Sequence, residues 1–138
     1  MRAKRIRKTL GNEKGQNLVE FALVVPLLLI LVFGIAEFGR AWMTQNILTG
    51  AAREAVRLLA VPISGGGGPT AASNRAVTVL ASAGITADNL VVLDAPSAFE
   101  AVSVTIAYNF PVAIAGFIPG LDCTTIPLTS TTTMRREY

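Results

Sequence analysis

No histidine occurs anywhere in the 138 residues, so the commonest general base, the Ser-His-Asp arrangement and the commonest zinc ligand are all missing at once. Cysteine is nearly absent too. Cys123 stands alone, which rules out an intrachain disulfide or a multi-cysteine metal site and leaves a bridge between chains as the one sulfur link still open. Charge is scarce, at 15% of residues against 51% hydrophobic, a balance more apolar than the globular norm and one that points to lipid. Lysine disappears after Lys14. The four glycines Gly65 to Gly68 are followed by no lysine, so no P-loop can be written and the run gives no support to a nucleotide cradle.

The charge that is present is unevenly placed. Arg2, Lys4, Arg5, Arg7, Lys8 and Lys14 face only Glu13 in the first fifteen residues, a net +5, whereas the rest holds six Arg and eight acids, a net −2. The basic character belongs to a leader. Immediately after it, Phe21 to Ala36 reads FALVVPLLLILVFGIA without a charge, and including Leu18, Val19 and Phe38 around Glu20 and Glu37 extends the run to roughly the 20 residues that cross a hydrocarbon core. Basic residues before the run place the N-terminus in the cytoplasm and the C-terminal part outside. Pro26 and Gly34 sit inside the run; a membrane helix tolerates both, and a kink is expected near Pro26.

Three readings fit a basic leader and an apolar run: a plain signal anchor, a secretory signal peptide cut after the small residues Gly34-Ile35-Ala36, and an anchor with a further role. Two features weigh against the signal peptide and the plain anchor. Ile47, Leu48, Ala51, Ala52, Ala55, Leu58 and Leu59 recur at three- and four-residue spacing, carrying the helical pattern well past Ala36. Leu18 to Leu59 as one helix measures roughly 63 Å, long enough to leave a membrane and continue as a stem. Glu20, a carboxylate near the mouth of an apolar helix, also costs free energy unless it stays hydrated or finds a partner.

Gly15-Gln16-Asn17-Leu18-Val19-Glu20-Phe21 behind a basic leader resembles the prepilin peptidase site of the type IV pilin class. The resemblance implies cleavage after Gly15, a mature chain starting at Gln16, and Glu20 pairing with the α-amino group of a neighbouring subunit, an assembly contact that offsets the cost of its burial. Gln at the first mature position departs from the Phe of many pilins. A longer stretch, Gly15 to Arg57, is similar to the TadE-like family through its GQ-x-x-VEFAL start, its VxPLLL core, the G-I-x-EFGRA block at Gly34 to Ala41 and AARE at Ala51 to Glu54. It implies a pseudopilin of a Tad-type pilus, with Glu37 and Arg40 as further assembly contacts. It also implies partners: the lipid bilayer, other pilin or pseudopilin subunits, the assembly machinery and a prepilin peptidase.

Past the stem, Pro62 and the run Ser64 to Pro69 predict a flexible loop. Thr70 is expected to cap a second helix with Ala72, Ala76, Val79, Leu80 and Ala83 on one face and Gly84 as its stop. The period then changes to two after the turn at Asp88-Asn89. Leu90 to Leu93 predicts a short strand, and Ala101 to Phe110 alternates, with Val102, Val104, Ile106, Tyr108 and Phe110 on one side and Ser103, Thr105, Ala107 and Asn109 on the other. Pro111 interrupts that strand, Pro119-Gly120 marks a turn, and Val112 to Ile118 either fills the core or touches a membrane or partner. Thr125 to Arg135 is expected as a last strand with Ile126, Leu128 and Met134 on one face. Glu54 and Arg57 are spaced as an i,i+3 pair, and Asp88, Asp94, Glu100 and Asp122 fall at turns or strand edges as solvated charge.

The expected architecture is therefore α+β and pilin-like, a long transmembrane helix continuing as a stem into a small head of one helix and about three antiparallel strands. Its parts are a basic cytoplasmic leader at 1–15, a transmembrane helix at 16–38, a stem at 39–60, a glycine-rich loop at 61–69 and an extracytoplasmic head at 70–138. The expected function is a single-pass pseudopilin or minor pilin in the bacterial inner membrane, serving pilus or secretion-apparatus assembly. It is not an enzyme and calls for no cofactor, metal, nucleic acid or small-molecule substrate. The alternative is a membrane-tethered extracytoplasmic binding module whose helix is only an anchor.

Overall fold

The computed structural model describes residues 13–61, 63–94, 100–115 and 124–136. The leader up to residue 12, Pro62, the Pro119-Gly120 turn, Asp122 and Cys123 lie outside the described residues. Helix α1 runs Glu13–Ala60, helix α2 Pro69–Ser82, and three strands follow: β1 Asn89–Leu93, β2 Ala101–Pro111 and β3 Thr125–Arg135. A long apolar N-terminal helix followed by a second helix and a small antiparallel sheet is an α+β fold consistent with pilin architecture. By internal contacts the chain divides into two compact units, Met1–Ala36 and Glu37–Tyr138, with α1 contributing to both.

In the first unit the helix is unbroken through Pro26. Proline removes one N–H and frees one carbonyl, a defect that a helix in lipid repairs locally. The large apolar side chains from Leu18 to Ile35 all stand exposed, apart from the half-buried Val25. Among the described residues, this part of α1 has no covered stripe of the kind that packs a soluble helix onto its own core.

The second unit has a core. Leu48, Ala51, Ala52, Ala55, Val56 and Leu59 of α1, Ala72, Ala76 and Leu80 of α2, and Val102, Val104 and Ile106 of β2 form one buried cluster. Small residues on both helices permit close approach, and the alternation of β2 turns its Val and Ile residues to the same side. The sheet is a meander in the order β1-β2-β3, antiparallel throughout, with Leu90 opposite Ile106 and Ile106 opposite Ser130. Asp88 extends the first pairing, its N–H bonding to the Ala107 carbonyl and its carboxylate accepting the Asn109 N–H. Pro127 sits in an edge strand, where a missing N–H costs no ladder bond.

Several local expectations need correction. Thr70 does not cap α2. Gly68 occupies that position without a side-chain bond and Pro69 begins the helix, its fixed φ suited to the first turn. In the glycine loop a Cβ on Gly67 would stand 2.5 Å from the carbonyl oxygens of Leu58 and Val61, so only glycine fits where the loop crosses the end of α1. The adjacent Gly68 N–H then satisfies the Leu58 carbonyl at 3.1 Å. At the other end of α2, Gly84 with φ +71° donates to Ala81 and Ile85 donates to Leu80, both at 3.0 Å. This is a Schellman closure that returns Ile85 to the core.

On β3 the expected apolar face gives way to a polar centre. Ile126 and Met134 are exposed and Leu128 is half-buried, while the buried residue of the strand is Ser130, whose Oγ meets Thr49 Oγ at 3.1 Å. Glu54 reaches across to Arg75 on α2 rather than along α1 to Arg57. In α2 the buried face is Ala72, Ala76 and Leu80, with Ala83 exposed beyond the helix end. Of the Val112 to Ile118 stretch, Ala115 is buried, Val112 and Ile114 are half-buried and Ala113 is exposed; Gly116, Phe117 and Ile118 lie outside the described residues.

Candidate membrane and assembly surface

Gly15, Gln16, Glu20 and Phe21, the residues read as a processing site, all lie within helical backbone near the start of α1. Gln16 and Glu20 are four residues apart and share a face. Both are exposed, as is Phe21. Beyond them the exposed run of Leu, Val, Ile and Phe is the single helix, among the described residues, long and apolar enough to cross a membrane. These residues can make van der Waals contact with lipid or with other apolar helices, and a carboxylate at Glu20 is the one charge they carry before Glu37.

Glu37 and Arg40 belong to the second unit, and the structure brings them together. Arg40 Nη1 donates to both carboxylate oxygens of Glu37 at 2.8 Å. The same carboxylate accepts the Ala113 N–H at 3.2 Å, which ties α1 to the turn that follows β2. The Arg40 guanidinium also lies 5.0 Å from the centre of the buried Phe110 ring, a cation–π contact that holds its planar group against the strand end. Only 14% of the Glu37 side chain remains accessible, against 51% for Arg40. The pair fastens the base of the head internally, and the exposed half of Arg40 is what it offers outward.

Higher on α1, Gln45 Nε2 donates to the Thr129 carbonyl at 2.9 Å and Thr49 meets Ser130. At the far end Arg136 Nη2 donates to the Leu59 carbonyl at 3.2 Å and pairs with Asp94. Arg136 thus joins the end of α1 to the ends of β1 and β3. Neither Arg136 nor the Gln45 contact was legible in the sequence, because each depends on chain crossings more than 40 residues long.

The pairing of Phe38 with Trp42 was not legible either. Four residues apart on one face, they stack with centroids 6.1 Å apart and planes 28° from parallel, at 69% and 61% exposure. The available signal was the chain's sole tryptophan standing just beyond the apolar run.

For reaction chemistry the described residues offer little. They contain no group of three or more His, Cys, Asp or Glu able to hold a metal. A depression of ≈ 160 Å³ between α2 and β1, lined by Val77, Leu80, Ile85, Thr86 and Leu90 among others, carries no acid or base. Its size is below that of ordinary ligand pockets.

Among known proteins, the family described as TadE-like protein matches residues 15–57, about a third of the chain. This interval includes the exposed apolar run, Glu20, the Glu37–Arg40 pair, and the Ala51 to Val56 part of the core-forming stretch. No curated protein and no solved structure matches the chain.

Proposed function

We propose that the chain is a membrane-anchored pseudopilin or minor pilin that takes part in assembling a Tad-type pilus or a related secretion apparatus. The observation that carries this reading is the family match at residues 15–57 on a helix whose large apolar side chains from Leu18 to Phe38, Val25 apart, stand exposed. In this account a prepilin peptidase removes the leader after Gly15. The exposed helix stays in the cytoplasmic membrane with its N-terminus inside, and Glu20 meets the new α-amino group of a neighbouring subunit. Arg40 supplies a second intersubunit contact through its exposed half, with Glu37 orienting it.

The test is filament assembly with Glu20→Ala and Glu20→Gln. Both are expected to keep the protein in the membrane and to lower its co-purification with pilin subunits by an order of magnitude, since each removes the charge that the amine needs. Unchanged co-purification in both variants would sink the assembly role of Glu20. A second reading has one observation in its favour: the family match stops at Arg57 and leaves α2 and the sheet unmatched. A head that binds its own target on a mere tether would behave identically with or without the Glu20 charge.

A further inference from the structure

From the stacked Phe38–Trp42 pair we infer that this part of α1 is an interfacial anchor, seated in the lipid headgroup layer on the side of the membrane that carries the head. The inference rests on the membrane-spanning reading above and adds to it the level at which the protein leaves the bilayer. A ring with an apolar body and a polar edge favours that layer; in this pair the indole of Trp42 supplies the polar edge through its N–H, and Phe38 supplies an apolar face against which it stacks. Trp42 lies four residues, about 6 Å of helix, beyond Phe38, the last apolar residue of a run that is itself of spanning length.

The surroundings of the pair agree with that placement. On a helix of 3.6 residues per turn, Phe38 and Trp42 project roughly a quarter turn away from the direction shared by Leu48, Ala52, Ala55 and Leu59. They consequently stay exposed while those four are buried in the head's core. Glu37 projects along the core side, where Arg40 and the Ala113 N–H satisfy it. The nearest acid is therefore already paired and hydrogen-bonded, which lowers the cost of bringing this stretch to a low-dielectric boundary. The first fully buried residue of α1 is Leu48, so along the helix the aromatic pair follows the apolar run and precedes the residues that enter the core.

Because Trp42 is the sole tryptophan, its fluorescence reports this position alone. The full chain would be reconstituted in phosphatidylcholine vesicles and floated on a density gradient, then measured in vesicles whose lipids carry bromine either near the headgroup end or near the terminus of the acyl chain. Flotation with blue-shifted emission, quenched strongly by the shallow bromine and weakly by the deep one, is the expected result. Flotation with red, unquenched emission would overturn the anchor while leaving the span intact. Blue-shifted but unquenched emission would also overturn it, pointing to cover by a second copy of the chain. Failure to float would overturn the span and the anchor together.

Discussion

Leu29 and Leu59 are the same residue type in the same helix, yet Leu29 is 49% exposed and Leu59 is wholly buried. Around Leu29 every neighbour on the helix is apolar; around Leu59 the apolar residues keep to one side, and Arg53, Glu54 and Arg57 are exposed. The difference shows where each region finds its burial. From Leu48 onward the chain covers its own apolar stripe with α2 and β2, whereas the large apolar side chains from Leu18 to Phe38, Val25 apart, are left exposed by the described residues. The patterning along one helix thus changes from apolar on all sides to apolar on one side, and the covered stripe begins where it does.

The comparison is broken most directly by making one substitution in both places. Leu59→Ala is expected to cost the head about 2–5 kcal/mol, the lost transfer energy plus the cavity left behind. Leu29→Ala should leave the thermal midpoint of the head unmoved, as followed by the sheet signal in circular dichroism in detergent. Equal losses for both would mean that Leu29 packs against the chain after all. The next largest effect belongs to Leu29→Arg, which should weaken membrane insertion by about 2.5–3.5 kcal/mol. Alkaline extraction would then release a substantial fraction of the protein, and full retention in the pellet would count against the span.

Within the second unit the effects should be smaller. Glu37→Ala removes the acceptor of the Ala113 N–H and the partner of Arg40, and about 1 kcal/mol of head stability is expected to go with it. A double-mutant cycle with Arg40→Ala should return a coupling below about 1 kcal/mol, because Arg40 is half in solvent. A zero cost for Glu37→Ala would show that the turn after β2 holds itself. Smallest of all, Arg75→Ala should shift stability by less than about 0.5 kcal/mol, since both partners of its ion pair with Glu54 are roughly half exposed. A loss of 2 kcal/mol or more would contradict that ranking.

How much of this was legible in the sequence follows the range of the interaction responsible. The apolar run, the alternation of β2 and the small-residue spacing of α1 are periodic patterns set by neighbours a few positions away, and the structure carries all three. Gly84 was legible as a stop because a positive φ at a helix end is a local demand. The buried serine of β3 was not. Ser130 is turned inward by its register opposite Ile106 and accommodated there by Thr49, a partner 81 positions away. The same limit hid Arg75 as the partner of Glu54, which the i,i+3 spacing with Arg57 had masked, and it hid the carbonyls that make Gly67 obligatory. Of the candidate site, motif resemblance named Glu37 and Arg40 as candidates, while the engagement of Glu37 with Ala113 required the fold.

The central claim is that the apolar helix is retained and that the bilayer supplies the cover its side chains lack. Intact mass and N-terminal sequencing of the protein recovered from alkaline-washed membranes test it most directly. The expected species begins at Gln16 and keeps Phe21 to Phe38. A water-soluble species beginning at Glu37, shorn of that helix, would contradict the account.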